Sequence, residues 1–179
     1  MNTIKYLALQ LLGKLPFVNS QQLLINSLRR EGCKIGRDTH ISSNISAEEP
    51  YLVEIGDNCT ISTDVSFITH DASVGLYFGR KILSDVCGKI TIGNNCFIGN
   101  RVILLYGVTI SDNTIVAAGS VVTKSIKTSG YIVGGNPAKV IGKVSDFIDK
   151  SKKYALCLHG LNSMVRRRVI EESNKIIIR

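Results

Sequence analysis

Aliphatic residues recur six apart through the middle of the chain. Ile92, Ile98, Leu104, Ile110, Val116 and Val122 hold that interval without a break. Ile55, Ile61 and Phe67 hold it earlier, and Ile35 and Ile41 earlier still. Four residues after an aliphatic stands a second small or branched residue, at Cys59, Val65, Cys96, Val102, Val108, Thr114 and Ser120. Between them come polar turn formers: Gly36, Gly56, Gly93 and Gly99, then Asp57-Asn58, Asn94-Asn95 and Asp112-Asn113. A period of six smears around a helix of 3.6 residues per turn, so an amphipathic helix is excluded. A strand and a turn sharing six residues fit it. Positions one and five then face one interior, and the Gly, Asn and Asp positions take the turn dihedrals, some with φ > 0. Three such units close a triangular coil of eighteen residues, and stacked coils bond to each other as parallel strands.

The fold class expected is therefore an all-β solenoid, the left-handed parallel β-helix built of hexapeptide repeats, which departs from the usual right-handed parallel crossover. The repeat breaks twice. Ile41 and Ile55 are 14 residues apart, two more than whole hexads allow, and Glu48-Glu49-Pro50 marks a small bulge. Residues 71–89 fit no hexad and predict a loop thrown from the coil, carrying Gly75-Leu76-Tyr77-Phe78-Gly79-Arg80-Lys81. Loops on a rigid frame are where function concentrates, and so apolar a tip is expected to meet a substrate or another subunit. Residues 1–32 predict an N-terminal helical cap, broken near Pro16, with Leu7, Leu11, Leu12 and Leu15 on one apolar face and Leu23, Leu24 and Leu28 on another. Residues 33–142 form the β-helix. Residues 143–179 predict a C-terminal helical extension, apolar at Phe147, Ile148, Ala155, Leu156 and Leu158, with a break at Gly160.

Composition agrees with a packed single domain: 179 residues, 44% hydrophobic, 20% charged, with no Trp. The apolar stretch from Ile4 to Val18 is too short and too interrupted to span a bilayer, and it lacks a cleavage site. Five cysteines without a CxxC pair suit neither a disulfide framework nor a zinc site, which favours a reducing cytoplasm. The net charge of +8 is unevenly spread. Residues 35–142 hold eight Lys and Arg against nine Asp and Glu, so the excess lies in the flanks, notably Arg166-Arg167-Arg168. A nucleic-acid reader carries its charge on the element that meets the phosphates; here the coil is neutral, and no nucleic-acid partner is expected. A solvated helix face and a weak membrane-surface contact are the two readings left for the flanks.

Val53-Glu54-Ile55-Gly56-Asp57-Asn58, Ile92-Gly93-Asn94-Asn95-Cys96-Phe97-Ile98-Gly99, Val121-Val122-Thr123-Lys124-Ser125 and Gly134-Gly135-Asn136-Pro137-Ala138-Lys139-Val140-Ile141 resemble the hexapeptide-repeat acyltransferases. The chain is most similar to the small acetyltransferases: serine, galactoside and maltose acetyltransferases and the capsule or lipopolysaccharide O-acetyltransferases. The resemblance implies an acetyl-CoA-dependent O-acetyltransferase acting on a sugar hydroxyl in surface polysaccharide synthesis, working as a homotrimer with its sites between subunits. It implies a catalytic His on a coil just before the loop, which is His70 in Phe67-Ile68-Thr69-His70-Asp71. The chemistry agrees, because a hydroxyl attacks a thioester only once its proton is removed and imidazole does that at neutral pH. Asp71 and Asp85 are the candidate orienting groups on its other nitrogen. Acetyl-CoA contacts carry over to Asn100, Ala118, Thr123, Lys124 and Lys139, with small residues admitting the pantetheine arm and lysines meeting phosphates. Asn44 and Tyr77 are the expected acceptor contacts, and no metal is expected. His40 and His159 read as structural.

Other readings are weaker. A carbonic anhydrase on this coil needs three His ligands per metal, and His40, His70 and His159 do not supply them. Acyltransferases that draw on an acyl carrier protein are usually longer. An N-acetyltransferase of an amino-sugar nucleotide is the enzymatic runner-up, since an amine needs nearly the same machinery. A non-catalytic scaffold is the alternative from another class, disfavoured by the His70 and loop arrangement.

Overall fold

The computed structural model describes residues 19–45, 47–78 and 84–177, together with Leu7, Ala8 and Leu11. The expected break at Pro16 and the apolar positions Leu12 and Leu15 lie outside them. Leu7, Ala8 and Leu11 are helical, and the helix α1 (Ser20–Arg30) precedes the coil. Fifteen short strands follow: β1 (Lys34–Ile35), β2 (His40–Ile41), β3 (Val53–Ile55), β4 (Thr60–Ile61), β5 (Ser66–Phe67), β6 (His70–Asp71), β7 (Val86–Cys87), β8 (Ile90–Ile92), β9 (Phe97–Ile98), β10 (Ile103–Leu104), β11 (Thr109–Ile110), β12 (Ile115–Val116), β13 (Val121–Val122), β14 (Tyr131–Gly134) and β15 (Lys139–Lys143). Two helices close the chain, α2 (Val144–Ser151) and α3 (Ser163–Glu171), with Gly160 at φ +76 between them.

The wall is three parallel sheets, β1-β3-β8-β11, β2-β4-β9-β12 and β5-β10-β13, which successive strands from β8 to β13 visit in rotation. Where the repeat is unbroken, paired residues are eighteen positions apart, as in Thr91↔Thr109, Phe97↔Ile115 and Ile103↔Val121. Across the first interruption the step is twenty (Lys34↔Glu54, Thr60↔His40) and across the second thirty-seven (Ser66↔Ile103). The two interruptions thus enlarge single coils and leave the register of the next one intact. The wall has three edges where the chain turns. The first holds residues 36–38, 56–58, 93–95 and 111–113; the second 42–44, 62–64, 99–101 and 117–119; the third 48–52, 68–70, 105–107 and 123–125.

Every aliphatic and every small residue singled out by the period lies in the interior, from Ile35 and Ile41 to Val116, Ser120 and Val122. Cys59 and Cys96 sit among them as small apolar groups, their thiols donating to the Gly93 and Ser111 carbonyls. Along the first edge the side chains build a ladder between coils. Asp57 Oδ1 accepts from Arg37 N–H at 2.7 Å, Asn94 Oδ1 from Asp57 N–H at 2.8 Å, and Asp112 Oδ1 from Asn94 N–H at 2.7 Å. The neighbouring Asp38, Asn58, Asn95 and Asn113 take φ of 53–55, the left-handed region that Asn and Asp tolerate best.

Helix α1 lies on the open first coil. Asn19 caps it, Leu24, Ile25 and Leu28 join the core, and Leu23, expected inward, stays exposed. Gln21 meets both free backbone groups of Ile41, and Arg29 donates to the carbonyls of Ile35 and Gly36, so the edge strands β1 and β2 are paired by side chains. At the far end the coil gives way before residue 142. Strands β14 and β15 form an antiparallel hairpin, and only β14 continues the wall, against β12. None of the described residues from 144 to 177 is buried.

Candidate active site

The first interruption puts its two extra residues at the third edge. Ile41, Ile45 and Ala47 keep the inward spacing, Val53 and Ile55 resume it, and residues 48–52 carry the excess, with a short 3-10 turn over Pro50–Leu52. One coil further on, the second interruption leaves from the same edge at His70. Its base is closed by antiparallel pairing of β6 with β7 (His70↔Cys87, Asp71↔Val86) and by the Gly88 N–H donating to the Thr69 carbonyl at 2.9 Å. The two irregularities therefore stand one above the other.

That stacking brings Glu49 against His70. His70 Nδ1 lies 3.0 Å from Glu49 Oε2, and the same oxygen accepts from the buried Thr69 hydroxyl at 2.6 Å. With Nδ1–H donating to a carboxylate, Nε2 carries the lone pair and points outward from a side chain 27% exposed. Glu48, itself exposed, reaches to 4.0 Å of Nε2. The hydrogen bond that His70 donates to Glu49, with the charges of Glu49, Glu48 and Asp85, holds the His70 pKa above the ordinary histidine value. Glu49 is held below the usual carboxylate range, first by the Thr69 hydroxyl and then by His70.

The carboxylate bonded to the His70 ring is therefore Glu49, not the expected Asp71 or Asp85. Asp71 Oδ1 accepts from Ser73 N–H at 2.8 Å and caps the 3-10 turn Ala72–Leu76, while Oδ2 accepts from the Tyr106 hydroxyl at 3.4 Å. Asp85 is exposed and acts on His70 through charge alone. A visible signal existed in the Glu48-Glu49-Pro50 bulge, but only the coil register says what it faces.

The remaining expected contacts divide between edges. Along the second edge Asn44 lines one depression and Asn100 and Ala118 line a second, with Thr63 and Asp64 bordering both. Asn100 Oδ1 accepts from Thr63 N–H at 3.3 Å, and the Asn44 side-chain oxygen is shielded from solvent with no hydrogen-bond partner. Lys139, paired with Gly134 in the terminal hairpin, lies towards this edge and is exposed. Thr123 and Lys124 instead follow β13 onto the third edge, two coils beyond His70 and about 10 Å from it at ~4.8 Å per coil. Tyr77 stands on the loop beyond His70, 88% exposed between Leu76 and Phe78. His40 is exposed, its Nε2 3.1 Å from the Ser42 hydroxyl, and His159 is exposed in the C-terminal segment.

Residues 89–124 match the family model described as the hexapeptide repeat of succinyl-transferase. Protein CapG of Staphylococcus aureus is 41% identical over 128 residues, which cover 70% of this chain and 74% of that protein. The chain belongs to the hexapeptide-repeat acetyltransferase family. As a member it is an acyltransferase, and its three-sheet coil is a left-handed parallel β-helix. Galactoside O-acetyltransferase of Escherichia coli K12 is 38% identical over 114 residues, 63% of this chain and 54% of that protein, so the match spans about half of that enzyme's length. A galactoside acetyltransferase solved in complex with coenzyme A superposes with a TM-score of 0.59 at 26% identity, covering 89% of this chain and 88% of that one. The family and that complex support acetyl-CoA as the co-substrate.

Proposed function

We propose that this protein transfers an acetyl group from acetyl-CoA to a sugar hydroxyl in the synthesis of a surface polysaccharide, with His70 as general base and Glu49 as its positioning residue. The observation that carries the reading is the hydrogen bond between His70 Nδ1 and Glu49, which orients the ring so that the neutral imidazole keeps its lone pair on Nε2. Nε2 takes the proton of the acceptor hydroxyl as its oxygen attacks the thioester carbonyl. The tetrahedral adduct collapses, the carbon–sulfur bond breaks, and the coenzyme A thiolate leaves with the proton held by the imidazolium. A positioned base of this kind contributes about 10²–10⁴-fold in rate.

The second-edge groove suits the donor. Ala118 and Gly119 are exposed and present backbone with almost no side chain, so a pantetheine arm can lie close, and Lys139 is an exposed cation towards the same edge. Helix α1 covers the first coil, and the enzyme works as a cytoplasmic homotrimer. His70 and the groove sit on different edges, separated by a wall strand of about four residues, some ~13 Å. Apposing the third edge of one copy to the second edge of the next completes the site.

His70→Ala is expected to abolish transfer while the protein stays folded and keeps its acetyl-CoA-induced thermal shift. Acetyl-CoA at 100 times its Kd stabilises the native protein by about 2.7 kcal/mol. Near-normal turnover in His70→Ala, measured as free thiol released with sugar acceptors, would sink the mechanism; absence of any shift at millimolar acetyl-CoA would sink the donor.

A further inference from the structure

Helix α3 has no buried residue, and neither does the rest of the described chain after residue 143. Only Val169 and Ile170 near its end are half-buried, and a nine-residue helix with so little packing is marginal in water, whatever its capping. What this helix shows to solvent is a mixture: Met164, 79% exposed, and Val165 beside Arg166, Arg167 and Arg168, with Ile176 also exposed beyond its end. Glu171 pairs with Arg167 at 2.7 Å, whereas Arg166 and Arg168 have no acidic partner among the described residues. Residues 144–177 hold seven Lys and Arg against four Asp and Glu, in contrast to the slightly acidic coil.

We propose that this C-terminal segment is a docking surface for an anionic lipid bilayer. Charge complementarity selects the partner: unpaired arginines meet phosphate headgroups, and the apolar side chains among them enter the boundary with the acyl chains. A nucleic acid would match the arginines and leave Met164, Val165 and Ile176 in water. No helix among the described residues is long and apolar enough to cross a membrane, so the contact is peripheral. It holds the coil, and the His70 edge with it, beside acceptors assembled at a membrane surface.

Co-sedimentation of the full chain with vesicles tests this. Binding is expected to vesicles of phosphatidylcholine mixed with phosphatidylglycerol, to be weak to phosphatidylcholine alone, and to be released by raised salt. Each arginine near an anionic surface is worth about fivefold in partitioning, so Arg166→Ala with Arg168→Ala should lower it by on the order of thirtyfold. Met164→Ser should lower it several-fold without changing the salt dependence. Because none of these side chains is buried, the melting temperatures should hold, which separates lost binding from lost fold. Failure of the wild-type chain to bind the mixed vesicles overturns the proposal. So does equal binding by the double variant, or a double variant that changes oligomeric state on size exclusion while its vesicle binding is unaltered, which assigns the helix to an interface between copies.

Discussion

In the proposed mechanism His70 serves as a base only when its imidazole is neutral, and Glu49 favours the protonated form. The acid limb of the rate profile is therefore expected above pH 6.5, the ordinary histidine value, with activity rising as the proton leaves. Glu49→Gln should move that limb to lower pH and also lower the plateau about tenfold or more, because the Nδ1 proton loses the carboxylate that fixes its place. A pH–rate profile of kcat/KM reads both; an unmoved limb would show that Glu49 does not position the base. Stability runs the other way. A histidine raised by its partner contributes in full below its unfolded pKa and loses the contribution as pH climbs through the folded value. Glu49, held low, contributes above its ordinary 4.5 and loses this as pH falls. The melting-temperature gap between wild type and Glu49→Gln should thus be widest from about pH 4.5 to 6.5 and narrow above that window. His70 was legible in the sequence as the last residue before the loop. Glu49 was visible only as part of an irregularity, since its distance from His70 depends on which coil lies over which.

At the scale of the hexad, turn chemistry decides how closely coils stack. A Cβ on Gly93 would collide with the Asp112 carboxylate and stand 2.8 Å from the Asp112 backbone nitrogen, so the ladder rung would have to open. Gly93→Ala is expected to cost about 2 kcal/mol, roughly 4–8 °C in Tm, by thermal melting. The same substitution at Gly142, where a Cβ meets nothing within 4 Å, serves as the control. The period six in the sequence predicted the wall strands and their inward residues because each hexad repeats the same local demand. It was silent on β6 and β7, whose pairing arises from the departing and returning arms of the insertion meeting across the coil.

The core is a single column system running through all three sheets, with Ile98, Leu104 and Ile110 fully buried in neighbouring rows. Leu104→Ala should cost about 2–5 kcal/mol, the range for a buried leucine whose cavity cannot collapse. In the proposed reading, function at this scale turns on apposition of copies. His70→Ala and a groove-blocking Ala118→Arg should each be inactive alone. When co-refolded they should recover part of the activity, because a mixed assembly pairs an intact third edge with an intact second edge. Mixtures that stay inactive, with both variants folded and associated, would place the whole site within one copy.

The sequence by itself determined the period, the inward residues, the turn positions and the two interruptions, all of which are properties of six to eighteen neighbouring residues. It also determined that His70 opens the larger interruption. The tertiary structure decided what lies across an edge. The extra residues at 48–52 and the loop after His70 emerge from the same edge one coil apart, and this alone selects Glu49 over Asp71 and Asp85. It likewise decided that Asn44, Asn100 and Ala118 lie along one edge and Thr123 and Lys124 along another. The physical reason is stacking: a coil brings residues eighteen or more apart within hydrogen-bond distance, and the identity of those neighbours depends on the register of every turn between them.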